Sequence, residues 1–128
     1  MTIAYWCIPL AALLPIFCAL YAKISAGFNF VHDNANPRAF LQKTQGISAR
    51  AHAAQQNGFE AFAPFAAAVI VAHATGNAAQ NTVDLLAVSF IVFRLLFIAA
   101  YLADKATLRS LMWAGGLVCT LSLFAAAA

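Results

Sequence analysis

Arg50 to Phe65 reads R-A-H-A-A-Q-Q-N-G-F-E-A-F-A-P-F and opens a strongly apolar run that continues to about Ala74. Arg50, Asn57 and Glu60 sit inside a stretch that otherwise has the length and composition of a membrane helix. At 100° per residue Arg50 and Asn57 fall about 20° apart and Glu60 within about 80° of them, so all three share one face. A carboxylate in hydrocarbon costs roughly 2.5–3.5 kcal/mol even on lenient insertion scales. Glu60 therefore requires a partner, and the rest of the chain is read for it.

The composition fixes the solvent. Of 128 residues, 64% are hydrophobic and only 9% are charged. A soluble domain carries about a quarter charged residues, so this chain is expected to fold in a bilayer. Its length allows one domain, residues 1–128, without a separate extramembrane module, and nothing points to a nucleic-acid partner. Cys7, Cys18 and Cys119 all lie in apolar runs without C-x-x-C spacing, which is the pattern of packed thiols, and no metal site is expected. The N-terminus lacks a basic n-region, so the first apolar segment reads as a retained helix.

Four spans are expected, at about residues 3–28, 48–74, 82–102 and 108–124, giving an all-α integral membrane four-helix bundle. Pro9 and Pro15 are expected to kink the first span. A polar connection from Asn29 to about Ile47 follows, punctuated by Pro37 and Gly46. The second half of the second span is alanine-rich, which suits close helix contact in lipid. Asn81 is a candidate cap for the third span, and Asp84 falls in its first turn, where the helix dipole favours an anion. Arg38 and Lys43 lie in the first connection, flanked by Lys23 and Arg50, and Lys105 lies in the third, with Arg109 just inside the fourth span. Both termini and the second connection have no lysine or arginine. The first and third connections are therefore expected in the cytoplasm, with both termini on the other side.

The third span contains Arg94 and Tyr101, seven residues apart and so again about 20° apart. Because the second and third spans run antiparallel, a Glu60–Arg94 ion pair with Asn57 as hydrogen-bonding neighbour is the simplest way to avoid an isolated buried charge. The rival reading of such a pair is a polar clasp that only fixes helix packing. Lys23, Arg50, Arg94, Lys105 and Arg109 all lie toward the cytoplasmic mouth, offset nearby only by Glu60 and Asp104. That concentration favours an anionic ligand with several carboxylates and donors. Lys23 and Lys105 are also placed to meet membrane lipid headgroups. Arg109-Ser110 would bring a guanidinium, a hydroxyl and free helix N–H groups together, as stabilising a developing thiolate requires. His32, His52 and His73 read as surface or interfacial residues.

The chain resembles the MAPEG family, the membrane-associated proteins in eicosanoid and glutathione metabolism. The carrying residues are Arg50, then N-x-x-E-x-x-x-P-F as Asn57, Glu60, Pro64 and Phe65, then Arg94 with Tyr101, and Arg109-Ser110. The wording A-R-A-H-A-A-Q-Q-N-G-F-E-A-F is most similar to the small bacterial members. The resemblance implies a homotrimer in a bacterial inner membrane, with glutathione as co-substrate between protomers near the cytoplasmic side. Arg50, Asn57, Glu60, Arg94 and Tyr101, with Lys23 from the first span, would hold the peptide. Arg109 and Ser110 would face its sulfur as the catalytic pair. The implied chemistry is attack of the thiolate on a lipophilic electrophile, or reduction of a lipid hydroperoxide. Gln56 stands where several catalytic members have a basic residue, and Phe97 replaces a histidine of the prostaglandin-synthesising branch. Some members bind lipids without catalysis, so a non-enzymatic lipid- or partner-binding protein on the same scaffold is the rival reading. A small transporter is a third class, disfavoured because the chain shows no inverted repeat or broken-helix pair.

Overall fold

The computed structural model describes residues 1–128 as six helices without strands: α1 Ile3–Ser25, α2 Phe30–Asp33, α3 Pro37–Gln42, α4 Gly46–Thr75, α5 Gln80–Leu102 and α6 Ala106–Ala127. The chain forms the expected all-helical bundle, and α1, α4, α5 and α6 are each long and apolar enough to cross a membrane. The first connection is more ordered than its polar composition suggests. Asn29 accepts from the N–H groups of Val31 and His32, and Asn36 accepts from that of Ala39, so two side-chain caps start α2 and α3.

Two spans end by the same device. α1 stops at Ser25, not at Phe28, because Gly27 takes a left-handed φ of 73° and the Phe28 N–H reaches back to the Lys23 carbonyl. This is a Schellman closure, in which a 6→1 bond satisfies carbonyls that the helix leaves free. At the end of α5, Asp104 takes φ 58° and the Lys105 N–H bonds to the Ala100 carbonyl. Aspartate tolerates this region better than most side-bearing residues, so the third connection is only residues 103–105 long. α6 accordingly begins at Ala106, two residues earlier than the sequence suggests. α1 runs unbroken through Pro9 and Pro15.

α1 packs most extensively on α4 and α5 on α6, while α1–α5 and α4–α6 contacts close the ring. Small residues make these approaches possible: Ala4, Cys7, Ala11, Ala68, Ala72 and Ala87 are all buried in one cluster. Larger side chains fill its centre, where the Phe65 and Phe90 rings stack at 3.8 Å and Leu123 and Val69 are fully buried. Outward faces are apolar too, with Trp6, Phe17, Leu20, Ile24, Leu95, Leu121 and many others exposed. In water such a surface would aggregate; in lipid it is the solvated surface.

Polar groups concentrate at the two ends. At one end the Thr2 hydroxyl lies 2.9 Å from His73 Nε2, whose ring stacks on Tyr5, while Asn77 donates to the Ala127 carbonyl. The Ala4 N–H donates to Asp84 Oδ1 at 2.8 Å. Asp84 thus serves the start of α1 and lies beyond the first turn of its own helix, which corrects the expectation of a dipole partner there. Asn81 is not a cap either, because α5 begins after Ala79 without a side-chain cap. At the opposite end the Ser25 and Ser48 hydroxyls bond at 2.7 Å, and Arg50 Nε donates to the Leu102 carbonyl. The first and third connections therefore share one end of the bundle, and both chain termini share the other with the second connection.

Candidate functional site

Arg94 is the only charged residue buried in the bundle, at 4% exposure. α5 carries it toward the bundle centre, where its guanidinium lies 4.2 Å over the Phe97 ring. Nη1 donates to Asn57 Oδ1 at 2.9 Å, and Asn57 Nδ2 in turn donates to Glu60 Oε2 at 3.4 Å. Nη2 is buried without any partner.

This corrects the expected Glu60–Arg94 ion pair. Asn57 stands between the two charges, and Glu60 is exposed on the outer face of α4 and meets Arg94 only through the Asn57 amide. The result is a relay of alternating charge and amide, Arg94–Asn57–Glu60, with one donor of Arg94 left over. A buried donor without an acceptor is costly, so this one marks a place where an acceptor is wanted.

Two adjoining clefts open beside the relay. One, of about 180 Å³, lies between α4 and α6 with α5 as its floor; Asn57, Glu60, Pro64, Arg94, Trp113 and Thr120 are among its walls. The other, of about 220 Å³, lies toward the third connection and is lined by Asn57, Phe97, Tyr101, Arg109, Ser110 and Trp113. Asn57 and Trp113 belong to both. The Arg109 guanidinium lies 4.5 Å over the Tyr101 ring, and Tyr101 meets Phe97 edge-on at 5.5 Å. Two cations therefore bracket two aromatic rings along one face: Arg94, Phe97, Tyr101, Arg109. The arrangement offers an anion-binding region with an aromatic wall, opening to the outside of the bundle between α4 and α6.

The structure thus brings together Asn57, Glu60, Arg94, Tyr101, Arg109 and Ser110. Lys23 and Arg50 lie elsewhere within this chain: Lys23 Nζ sits 4.8 Å over the Phe28 ring, and Arg50 is committed to the Leu102 carbonyl, where it satisfies the C-terminus of α5. The geometry at Ser110 also differs from expectation. Because α6 begins at Ala106, the free N–H groups belong to residues 106–108, and the Ser110 hydroxyl donates to the Ala106 carbonyl at 3.1 Å. Arg109 and Ser110 share the cleft without free backbone donors beside them.

The residues missed by the sequence reading are Trp113 and Thr120. Their signal was spacing: Ser110, Trp113, Leu117 and Thr120 recur at three- and four-residue steps and line one face of α6. A cavity larger than either cleft, about 670 Å³, lies among the first connection, bordered by Ser25, His32, Asp33, Asn36, Lys43 and Ser48. It is open and polar, and its buried hydroxyl, that of Ser48, is already bonded to Ser25. No group of histidine, cysteine or carboxylate side chains is arranged to hold a metal ion.

Comparison with known proteins gives one result of weight. The sequence model described as the MAPEG family matches residues 3–128, which is essentially the whole chain. No curated protein matches.

Proposed function

This chain belongs to the MAPEG family, membrane proteins of glutathione and eicosanoid metabolism, and from that premise we propose that it binds glutathione and activates its thiol against lipophilic electrophiles. The observation that carries the proposal is the unpartnered Nη2 of Arg94, held beside Asn57 at clefts that also hold Tyr101 and Arg109. Glutathione has two carboxylates, an ammonium and a thiol. A carboxylate would complete Arg94, the exposed Glu60 would take the ammonium, and Arg109 would face the sulfur with Ser110. The sulfur is the nucleophile only as thiolate, so a guanidinium beside it favours the reactive form. In the transferase reaction the thiol proton leaves to solvent, a carbon–sulfur bond forms and the leaving group departs. In the peroxidase reaction two glutathione molecules are oxidised to the disulfide, and the hydroperoxide is reduced to alcohol and water.

Supporting features extend to assembly and location. The clefts open between α4 and α6 onto an apolar exterior, so a second copy would close them and a third would complete a ring. A homotrimer in the inner membrane is the assembly proposed, with neighbouring copies supplying Lys23 and Arg50. The cationic end carrying the first and third connections would face the cytoplasm and both termini the other side. The lipophilic substrate would enter from the membrane.

The test is conjugation of a chlorinated nitrobenzene by purified protein, with thiolate absorbance recorded as glutathione is titrated. The wild type is expected to show a saturable thiolate band and conjugation above the uncatalysed rate, and Arg109→Leu to lose at least tenfold in rate. Absence of both signals in the wild type removes the proposal. A second reading, binding of lipid or a partner without catalysis, is favoured by one observation: the Ser110 hydroxyl is turned back onto its own helix. It predicts saturable glutathione or lipid binding with no thiolate band.

A further inference from the structure

Three aromatic side chains, Phe97, Tyr101 and Trp113, supply all of the apolar lining of the cleft near the third connection. Two of them are already engaged. One face of Phe97 carries the Arg94 guanidinium, one face of Tyr101 carries that of Arg109, and the two rings meet edge-on. Trp113 differs. It is 44% exposed, and no ring or cation packs against its indole. The only side-chain hydrogen bonds of α6 are those of Ser110 and Thr120, so the indole N–H has no partner within the chain. Trp113 follows Arg109 by four residues and Ser110 by three, which puts all three on one side of α6.

A free indole selects its neighbour by shape and charge. Aromatic rings have negative faces and positive edges, and electron-withdrawing groups strip the face of its negative charge, so an electron-poor ring stacks well on indole. The indole N–H adds a donor for an acceptor group on the same ring. A cavity of about 150 Å³ holds one benzene, so the cleft, at about 220 Å³, has room for one substituted ring. No aliphatic side chain lines it. An alkyl chain has neither a quadrupole nor an acceptor to offer these groups.

We propose that Trp113 is the residue that selects the second substrate, and that this substrate is a planar, electron-poor aromatic electrophile with an acceptor group, of the halonitroarene kind. The inference rests on the glutathione reading above, in which the sulfur faces Arg109 and Ser110. Stacking on the indole holds the ring beside that sulfur. The thiol proton goes to solvent, and the thiolate adds to the ring carbon bearing the halogen. A carbon–sulfur bond forms, and the halide leaves with the electron pair of the carbon–halogen bond. Between the two steps negative charge collects on the acceptor group, where an indole N–H stabilises it.

The chain has only one other tryptophan, Trp6, near the start of α1 at the opposite end of the bundle, so each indole can be watched alone. In the whole protein in mild detergent, Trp6→Phe leaves Trp113 as the reporter and Trp113→Phe leaves Trp6. Dinitrobenzene, which has no leaving group and does not react, is the probe. Trp113 fluorescence is expected to fall saturably without a change in lifetime, and that of Trp6 only in proportion to the probe. In kinetics, Trp113→Leu should lower kcat/KM for chlorodinitrobenzene relative to a straight-chain alkyl hydroperoxide by about three- to tenfold, mainly through KM, as loss of one aromatic pair predicts. Trp113→Phe, which keeps a ring, should recover part of the ratio, and the glutathione thiolate band should persist in both variants. Quenching of Trp113 that never saturates, as for an indole roofed by a neighbouring copy, would overturn the proposal, and so would equal losses with the two substrates. A wild type without a thiolate band would instead remove the glutathione reading; the quenching uses no glutathione and still decides whether the ring binds at Trp113.

Discussion

Replacing Asn57 by leucine tests the relay at the centre of the bundle. Asn57 Oδ1 is the only hydrogen-bond acceptor for Arg94, whose Nη2 is already unpartnered and whose side chain is 4% exposed. Leucine keeps a branched side chain of similar bulk and removes the acceptor. A hydrogen bond to a charged group contributes about 1.5–3 kcal/mol, and stripping the partner from a buried charge costs up to about 3–5 kcal/mol. The Phe97 face remains beneath the guanidinium, so the lower range applies. About 2 kcal/mol is expected, which is roughly a 30-fold change in the unfolding equilibrium. The assay is unfolding of the micelle-bound protein with increasing dodecyl sulfate, reported by a thiol-reactive fluorophore. Cys7, Cys18 and Cys119 are all free and buried, so they react only as the bundle opens. Arg94→Leu in the Asn57→Leu background should recover most of the loss, because replacing both partners by apolar groups is nearly neutral. A single-variant loss below about 0.5 kcal/mol, or a double variant in which the losses simply add, would refute the reasoning.

Four further outcomes follow from the geometry. At Gly115 an added Cβ would lie 2.4 Å from a Phe93 ring carbon, so Gly115→Ala should destabilise by about 1–3 kcal/mol unless Phe93 is shortened as well. At neighbouring Gly116 the nearest atoms are 3.8 Å away, so Gly116→Ala should stabilise by about 0.5–1 kcal/mol through helix propensity; the same thiol-exposure assay reads both. Asp84→Ala removes the acceptor for the Ala4 N–H and should cost about 0.5–2 kcal/mol, with faster amide exchange at the start of α1. Arg50→Leu frees the Leu102 carbonyl and should cost about 1 kcal/mol, read as earlier loosening of the third connection by limited proteolysis.

The legible part of the fold was the part that each segment decides for itself. In hydrocarbon every backbone group must bond within its own helix, so length and hydropathy suffice to mark a span. Ile3 and Leu102 were accordingly found as helix ends, and the others were missed by no more than three residues. Two of those misses, the end of α1 and the start of α6, trace to tight local bonding: Gly27 and Asp104 turn left-handed and close α1 and α5 by backward hydrogen bonds. The first connection was read only as a polar link because four- and six-residue helices leave no periodicity; only Asn29 and Asn36 signal them.

The site was legible as a set of residues on faces, and illegible as a set of partners. A 20° difference on a helical wheel puts Arg50 and Asn57 on the same side of α4, yet one caps α5 and the other meets Arg94. Ten residues of rise separate what Arg50 and Glu60 can reach. Asp84 was expected to complement the dipole of its own helix and instead serves α1, because α1 and α5 begin side by side.

The sequence by itself determined the solvent, the four spans, the end at which the cations gather and the polar residues that share a face, since these depend only on local chemistry and the 3.6-residue period. Only the tertiary structure decided that Asn57 separates Glu60 from Arg94, that Trp113 joins two clefts, and that Lys23 and Arg50 stand apart from them. Those outcomes depend on how far each helix rotates and how closely it approaches its neighbours, which is set by side-chain packing between segments distant in sequence, as of Gly115 on Phe93 and Gly58 on Pro15.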